Sequence, residues 1–301
     1  MKYLLFAFAL SLIVLCTESQ AQQNAEYLAM IVSGDVSYQK SNQKEWQKVV
    51  VGQRLDKKFK IKIVKGYLSI IHKSGKTIEL KEDGIFDLKN LLKQTAKVVS
   101  DLKRKIAEYV FTKLTETPNK AHTEDIVGGV ERGILETKSL NEILCYYPQN
   151  TKVITKEVPF CWSSIKPGVT YTLTLTDKVG KKLLERQVKD TTVKIDIDAL
   201  NGEKGTCIYW QVSSEKFTSK QYCLLTIYKK EIDSINDGAM EMLSKCDIKS
   251  ATDNLLIALY YEEKKVMYKA VEYYQNAVTL APNVATYKDL LRKYLNLPQA
   301  Y

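Results

Sequence analysis

The hydrophobic pattern of this 301-residue chain changes period three times, and no other feature constrains its fold as strongly. From residue 26 to 89, the stretches YLAMIVSGDVSYQK, KEWQKVVVGQRL, FKIKIVKG, YLSIIHKSGKTIELK and GIFDL alternate or run apolar. Gly34, Gly52, Gly66, Gly75 and Gly84 punctuate them, which predicts a small all-β domain of short strands. Residues 88–114 then repeat apolar side chains every three or four positions, from Leu88 through Leu102 and Ile106 to Leu114, the spacing of an amphipathic helix. Periodicity is lost over 115–142, which reads as a linker with Pro118, Asn119 and Gly128-Gly129. Period two returns over 143–229 in seven short segments with turn residues between them, the spacing of a β-sandwich. From 234 to 301 the pattern is helical again. The expected fold is therefore multidomain: a small β-domain, an amphipathic helix, a β-sandwich and a short α-helical tail.

The first 21 residues are an address. Lys2 gives a positive start, Leu4 to Leu15 an apolar core, and Ser19-Gln20-Ala21 a small-x-small cleavage site before Gln22. The run is short for a membrane span of about 20 residues, so a signal peptide and export are expected. Leu12-Ile13-Val14-Leu15-Cys16 also resembles a bacterial lipobox, with Leu15 standing where a small residue belongs. No later stretch is apolar enough to span a bilayer. The formal charge of +10, from 45 Lys and Arg against 35 Asp and Glu, favours anionic partners. For an exported chain these are acidic glycans, membrane surfaces or acidic envelope proteins, and nucleic acid is not expected. The face of the 88–114 helix that carries Lys103, Arg104 and Lys105 is a candidate basic patch, against the alternative of a solvated outer face.

Five cysteines follow the signal peptide. Cys145 and Cys161 lie 16 residues apart, as do Cys207 and Cys223, and each pair straddles a predicted turn. Trp162 and Ile208 are read as facing inward, so Cys161 and Cys207 should face outward on different strands. That argues for two staples within sheets, Cys145–Cys161 and Cys207–Cys223, with Cys246 outside both or paired between molecules. Phe160, Trp162, Trp210 and Val212 are the expected pins of the sandwich core.

Catalytic sets were sought and none was convincing. His72 lies in a hairpin strand and His122 in the linker, with no nucleophile motif beside either. Asp196 and Asp198 share one strand face opposite Val193, Ile195 and Ile197, which makes that face a solvated one. Gly128-Gly129-Val130-Glu131-Arg132-Gly133 lacks the end of a phosphate loop. No metal or cofactor is expected, and the chain is not read as an enzyme.

Three stretches resemble known families. Gly34-Asp35-Val36, Trp46, Val51-Gly52-Gln53-Arg54-Leu55 and Ser74-Gly75-Lys76-Thr77-Ile78-Glu79-Leu80 follow in order the pattern of FecR-like envelope domains. Phe160-x-Trp162, Tyr171-x-Leu173-x-Leu175-x-Asp177 and Ile208-x-Trp210-x-Val212 resemble immunoglobulin-like and fibronectin type III-like modules, with Ile208 where Tyr is usual. Residues 251–284 resemble one tetratricopeptide (TPR) unit. Ile257, Ala258 and Tyr261 fall on its first helix, Ala270, Tyr274 and Ala277 on its second, and Pro282 on its closing turn; Asn254 stands where a bulky aromatic is typical. By analogy of fold, these resemblances imply an adaptor or scaffold for envelope proteins in the periplasm or at the cell surface of a bacterium. A FecR-like signalling regulator is the alternative, followed by a glycan-binding envelope protein or a hydrolase.

Overall fold

The computed structural model describes residues 26–91, 102–106 and 142–295. The signal peptide, Cys16, most of the 88–114 helix and nearly all of the linker with His122 lie outside the described residues. The chain divides into two compact units, Met1–Ile126 and Val127–Tyr301.

The first unit is one six-stranded antiparallel sheet built around two long strands, β1 (Tyr27–Gln39) and β4 (Lys60–His72). Each long strand serves two short partners. β1 pairs with β3 (Arg54–Leu55) near its start and β2 (Gln47–Lys48) near its end. β4 pairs with β6 (Gly84–Asp87) near its start and β5 (Thr77–Leu80) near its end. Register shifts in the β1–β4 ladder between Ala29 and Ile31 and between Ser33 and Asp35 bend the sheet onto itself. Gly34 sits at the bend with φ +74°, where a Cβ would lie 2.3 Å from the Lys65 carbonyl oxygen. Folded in this way, Tyr27, Ala29, Leu68 and Ile70 from one half and Val36, Tyr38, Ile61 and Ile63 from the other share a single core. The Tyr27 hydroxyl closes one end by donating to the Leu88 carbonyl at 2.9 Å.

The second unit opens with a sandwich of nine strands. These are β7 (Cys145–Tyr147), β8 (Thr151–Val153), β9 (Glu157–Trp162), β10 (Tyr171–Thr176), β11 (Lys182–Val188), β12 (Thr192–Asp196), β13 (Cys207–Ser214), β14 (Phe217–Thr218) and β15 (Tyr222–Thr226). One sheet runs β12-β9-β7 and the other β11-β10-β13-β15-β8, with β14 on β13. The chain changes sheet at each step from β7 to β10 and again from β11 to β12 and from β12 to β13. The steps β10–β11 and β13–β15 stay within one sheet, the mixed connectivity of a two-sheet β-sandwich. Strict alternation supplies the core: Val158, Phe160 and Trp162 from β9 meet Leu173, Leu175, Ile208, Trp210, Val212 and Leu224. Phe160 meets Trp210 edge to face at 4.9 Å, and the Trp210 indole N–H donates to the Pro148 carbonyl at 2.8 Å.

Four helices follow: α1 (Lys229–Lys245), α2 (Ala251–Glu263), α3 (Met267–Leu280) and α4 (Ala285–Tyr294). The helical tail starts five residues earlier than the periodicity placed it, because Lys229 follows the last strand almost directly. Ser250 caps α2, its hydroxyl accepting from the Asp253 N–H at 3.0 Å. Residues Ala251 to Tyr261 are all buried, so α2 is the centre of the bundle.

The tail is fastened to the sandwich along β8. This edge strand pairs in parallel with β15 on one side. On its other side the Lys152 N–H donates to the Lys265 carbonyl at 2.9 Å, and the Ile154 N–H to the Tyr268 hydroxyl at 3.3 Å. The buried Thr151 hydroxyl accepts from the Met267 N–H at 2.8 Å and so supplies the missing cap of α3 from another element. Replacing Thr151 with Val strands that N–H and should lower stability by about 1–2 kcal/mol in urea unfolding. Serine at the same position, which keeps the hydroxyl, should retain most of it.

Candidate functional site

The helical tail holds the residues of the expected repeat. Ile257, Ala258 and Tyr261 on α2 and Ala270, Tyr274 and Ala277 on α3 are buried against one another, and Pro282 is exposed in the turn after α3. The alanines let the helices approach, and rings fill the remaining space: Tyr261 stacks on Tyr273 at 5.6 Å and Tyr274 on Tyr294 at 4.8 Å. The Tyr274 hydroxyl donates to Glu262 Oε2 at 2.7 Å. Burial first, and then the Glu262 charge, holds that phenol well above its usual range. Tyr260 inserts toward α1, where its hydroxyl donates to the Ile235 carbonyl at 2.8 Å. The insertion needs Gly238, since a Cβ there would meet the Tyr260 oxygen at 2.3 Å. Sequence reasoning missed this pair, although a glycine inside a helical pattern was a signal for it.

The helix α1 buries Ile235, Ala239 and Met242 and leaves other apolar side chains in solvent. Met240 is 61% exposed, Leu243 36% and Ile248, in the turn after the helix, 61%; Tyr228 at its start is 64% exposed. Single exposed apolar residues are ordinary, but Met240 and Leu243 stand three residues apart on one helix, with Ile248 just beyond its end. Asp237 and Glu241 flank Met240 in sequence, so the surface combines apolar and acidic groups.

The cysteines divide differently from the expected two staples. Cys207 and Cys223 form a disulfide on the outer face of β13 and β15, their Cα atoms 5.4 Å apart. Cys145 and Cys161 are both thiols. The reason is register: Cys145 stands opposite Trp162, while Cys161 stands opposite Tyr147, with an irregularity between the two pairs. A one-residue offset in a strand sends side chains to opposite faces. Cys145 therefore points into the core, and burial pushes its thiol up to about 12. Cys161 faces outward beside the Tyr147 hydroxyl, and its thiol is raised, also by burial. Cys246 is buried at the end of α1. Phe160, Trp162, Trp210 and Val212 are all buried.

The candidate basic patch is corrected. In the described turn 102–106, Lys103 is only 4% exposed and lies on the same side as buried Ile106, three residues on, while Arg104 and Lys105 are exposed. A face that includes Lys103 is a packed face, so the three residues do not form one outward patch.

A second polar cluster lies at the hairpin between β4 and β5. His72 Nδ1 accepts from the Ser74 N–H at 3.1 Å and lies 2.8 Å from the Ser74 hydroxyl. That leaves the ring proton on Nε2, which is 4.0 Å from Glu26 Oε2. Hydroxyl, imidazole and carboxylate are in line, but 4.0 Å is not a hydrogen bond. Nδ1 is also already engaged by the backbone. The cluster orders the turn; Lys57 and Lys73 complete it at 3.2 and 3.6 Å from Glu26. Burial lowers the His72 pKa, against the opposing charge of Glu26. For Glu26, burial works upward, but the Lys57 hydrogen bond and the charges of Lys57, Lys73 and His72 outweigh it and lower the carboxyl. Asp196 and Asp198 are engaged by Lys156 and Lys204, each at 3.2 Å, beside a shallow hollow lined by Ile197, Asn201 and Thr226. Among the described residues no group of His, Cys, Asp and Glu has the arrangement of a metal site, and no helix is long and apolar enough to cross a membrane.

Two measurements follow from these contacts. With a folded pKa below the unfolded value of about 6.5, His72 stays neutral in the native state while the unfolded chain takes up a proton. Its share of stability is full above that pH and falls as pH drops through it. Urea midpoints at pH 7.5 and 5 should therefore differ more for the wild type than for His72→Gln; an equal difference would exclude His72 as a source. In non-reducing peptide mapping, Cys207 and Cys223 should emerge linked. Alkylation of the native protein should label Cys161 well before Cys145, and a Cys161–Cys207 link would contradict the placement of the two sheets.

No family model matches this chain, and no curated protein matches it. Among solved structures, the FN1-FN3 domains of chicken CNTN1 are similar over 68% of this chain at 11% identity and a TM-score of 0.20. The match spans 57% of that solved chain, and a score this low carries no argument about fold or function.

Proposed function

We propose that the chain is a non-enzymatic adaptor of the bacterial envelope, working in the periplasm or at the cell surface by docking other proteins. The observation that carries this reading is the exposed apolar pair Met240 and Leu243 on α1, a helix that buries Ile235, Ala239 and Met242, with Ile248 exposed in the turn that follows. A helix already fixed in the bundle needs no further backbone ordering when it is covered, which lowers the cost of docking. In this reading the first unit is a FecR-like domain and the α2–α3 hairpin a single TPR-like unit. The sandwich is the immunoglobulin-like spacer that holds the hairpin in place. The Cys207–Cys223 disulfide supports an oxidising compartment, in keeping with export.

Deleting the tail is a poor test, because it removes the groups that close β8. Point changes avoid that. Cross-linking in the native envelope should give adducts for the wild type that Met240→Glu with Leu243→Glu abolishes, while Gln275→Glu on exposed α3 leaves them intact. Adducts of equal yield in the first variant, with unchanged thermal unfolding, would refute docking through α1.

A further inference from the structure

We infer that the outer face of the bent sheet in the first unit is a binding site for an acidic polysaccharide. The register places Ile85 of β6, Lys62 of β4, Ser37 of β1 and Lys48 of β2 in one row across the sheet. Their inward neighbours Ile61, Ile63, Val36 and Val49 are buried, so this row looks away from the core. Lys60 stands on the same face two residues along β4, about 7 Å from Lys62. Lys48 lies two strands from Lys62, at about 10 Å. Three lysines from two strands thus project from one face, and among the described residues none of the three forms an ion pair. The Trp46 ring joins them, with Lys62 Nζ 5.9 Å from its centroid. Ile85, 63% exposed, extends the apolar part of the face.

An occupant of this face has to be anionic, extended and able to lie against a ring. The face is an open surface with its charges spread across strands, which suits a polymer with a repeating carboxylate better than a compact anion. Its sugar C–H faces would meet Trp46 and Ile85, and its carboxylates the three lysines. A neutral glycan would leave the lysine charges unused, and a lipid bilayer would meet only the tips of the side chains. Two carboxylates share this face, Asp35 opposite Val64 and Asp87 directly opposite Lys60, so Lys48 and Lys62 form its positive centre.

The test uses the full mature chain and polygalacturonate as probe, with amylose and phosphatidylglycerol vesicles as separate arms. Affinity electrophoresis should show retardation by polygalacturonate that weakens with salt. Lys48→Gln with Lys60→Gln and Lys62→Gln should weaken it about tenfold, and Ile85→Asp, an exposed change, should weaken it as well. Lys229→Gln with Lys230→Gln, which removes two charges from the other unit, should leave it unchanged. Equal retardation by amylose, binding to vesicles without binding to polygalacturonate, or a triple variant that binds like the wild type would each overturn the inference.

Discussion

The second unit depends on the closing of one sheet edge. A β8 left bare would present the N–H groups of Lys152 and Ile154 to any passing strand, the usual liability of an edge. Here the turn between α2 and α3 takes both, through the Lys265 carbonyl and the Tyr268 hydroxyl. To aim its carbonyl at β8, Lys265 adopts a left-handed conformation with φ 60°. The turn is a Schellman closure, the Val266 N–H reaching the Tyr261 carbonyl and the Lys265 N–H that of Glu262, both at 2.8 Å. A non-glycine residue in that conformation costs about 1 kcal/mol. The hydrogen bonds it makes to the edge, together with the cap that Thr151 gives α3, offset that cost. Helix termination and sheet termination are therefore the same event, and neither domain closes fully alone.

The first unit solves the edge and core problems by bending. A flat sheet of this size would need a second layer to cover its apolar face. The bend at Gly34 instead brings the two halves of β1 and β4 to face each other across one core. The half beyond the bend then has a buried inner face and a free outer face, and alternation assigns every residue to one or the other. Lys60 and Lys62 are held in solvent because Ile61 and Ile63 are held inside. The charge pattern of the outer face is therefore fixed by core packing.

Much of this was legible in the sequence because period is a local property. The change from alternation to helical spacing marks the sandwich and the bundle, and strict alternation through Phe160, Trp162, Trp210 and Val212 locates the core. What escaped depends on register or on distant partners. Cys145 and Cys161 have the same spacing as Cys207 and Cys223, yet Cys145 pairs with Trp162, one residue past Cys161, and alternation puts the two thiols on opposite faces. Spacing counts residues and cannot see which of them stand opposite. Helical spacing puts Lys103 on the basic face opposite the apolar stripe, whereas in the turn 102–106 it is buried like Ile106. Thr151 and Met267 lie 116 residues apart, and nothing local to a threonine in a strand says that it caps a helix.

Asn254 shows how a departure from a pattern can carry the geometry of a surface. The repeat pattern typically has a bulky aromatic at this position, which fills space between helices. The asparagine is 1% exposed and donates instead to the carbonyls of Ile248 and Ser250, both at 2.8 Å. Its neighbour Asp253 accepts from the Asp247 N–H at 2.7 Å. Together these two buried polar side chains tie down the turn between α1 and α2 from below. A buried amide is tolerated when its hydrogen bonds offset the loss of water; here both go from the amide nitrogen to that turn, and the buried carbonyl oxygen has no partner among the described residues. With its backbone held this way, the turn cannot fold Ile248 inward, and the side chain is left 61% exposed. The exposure of Ile248 thus goes with the polar contacts beneath its turn.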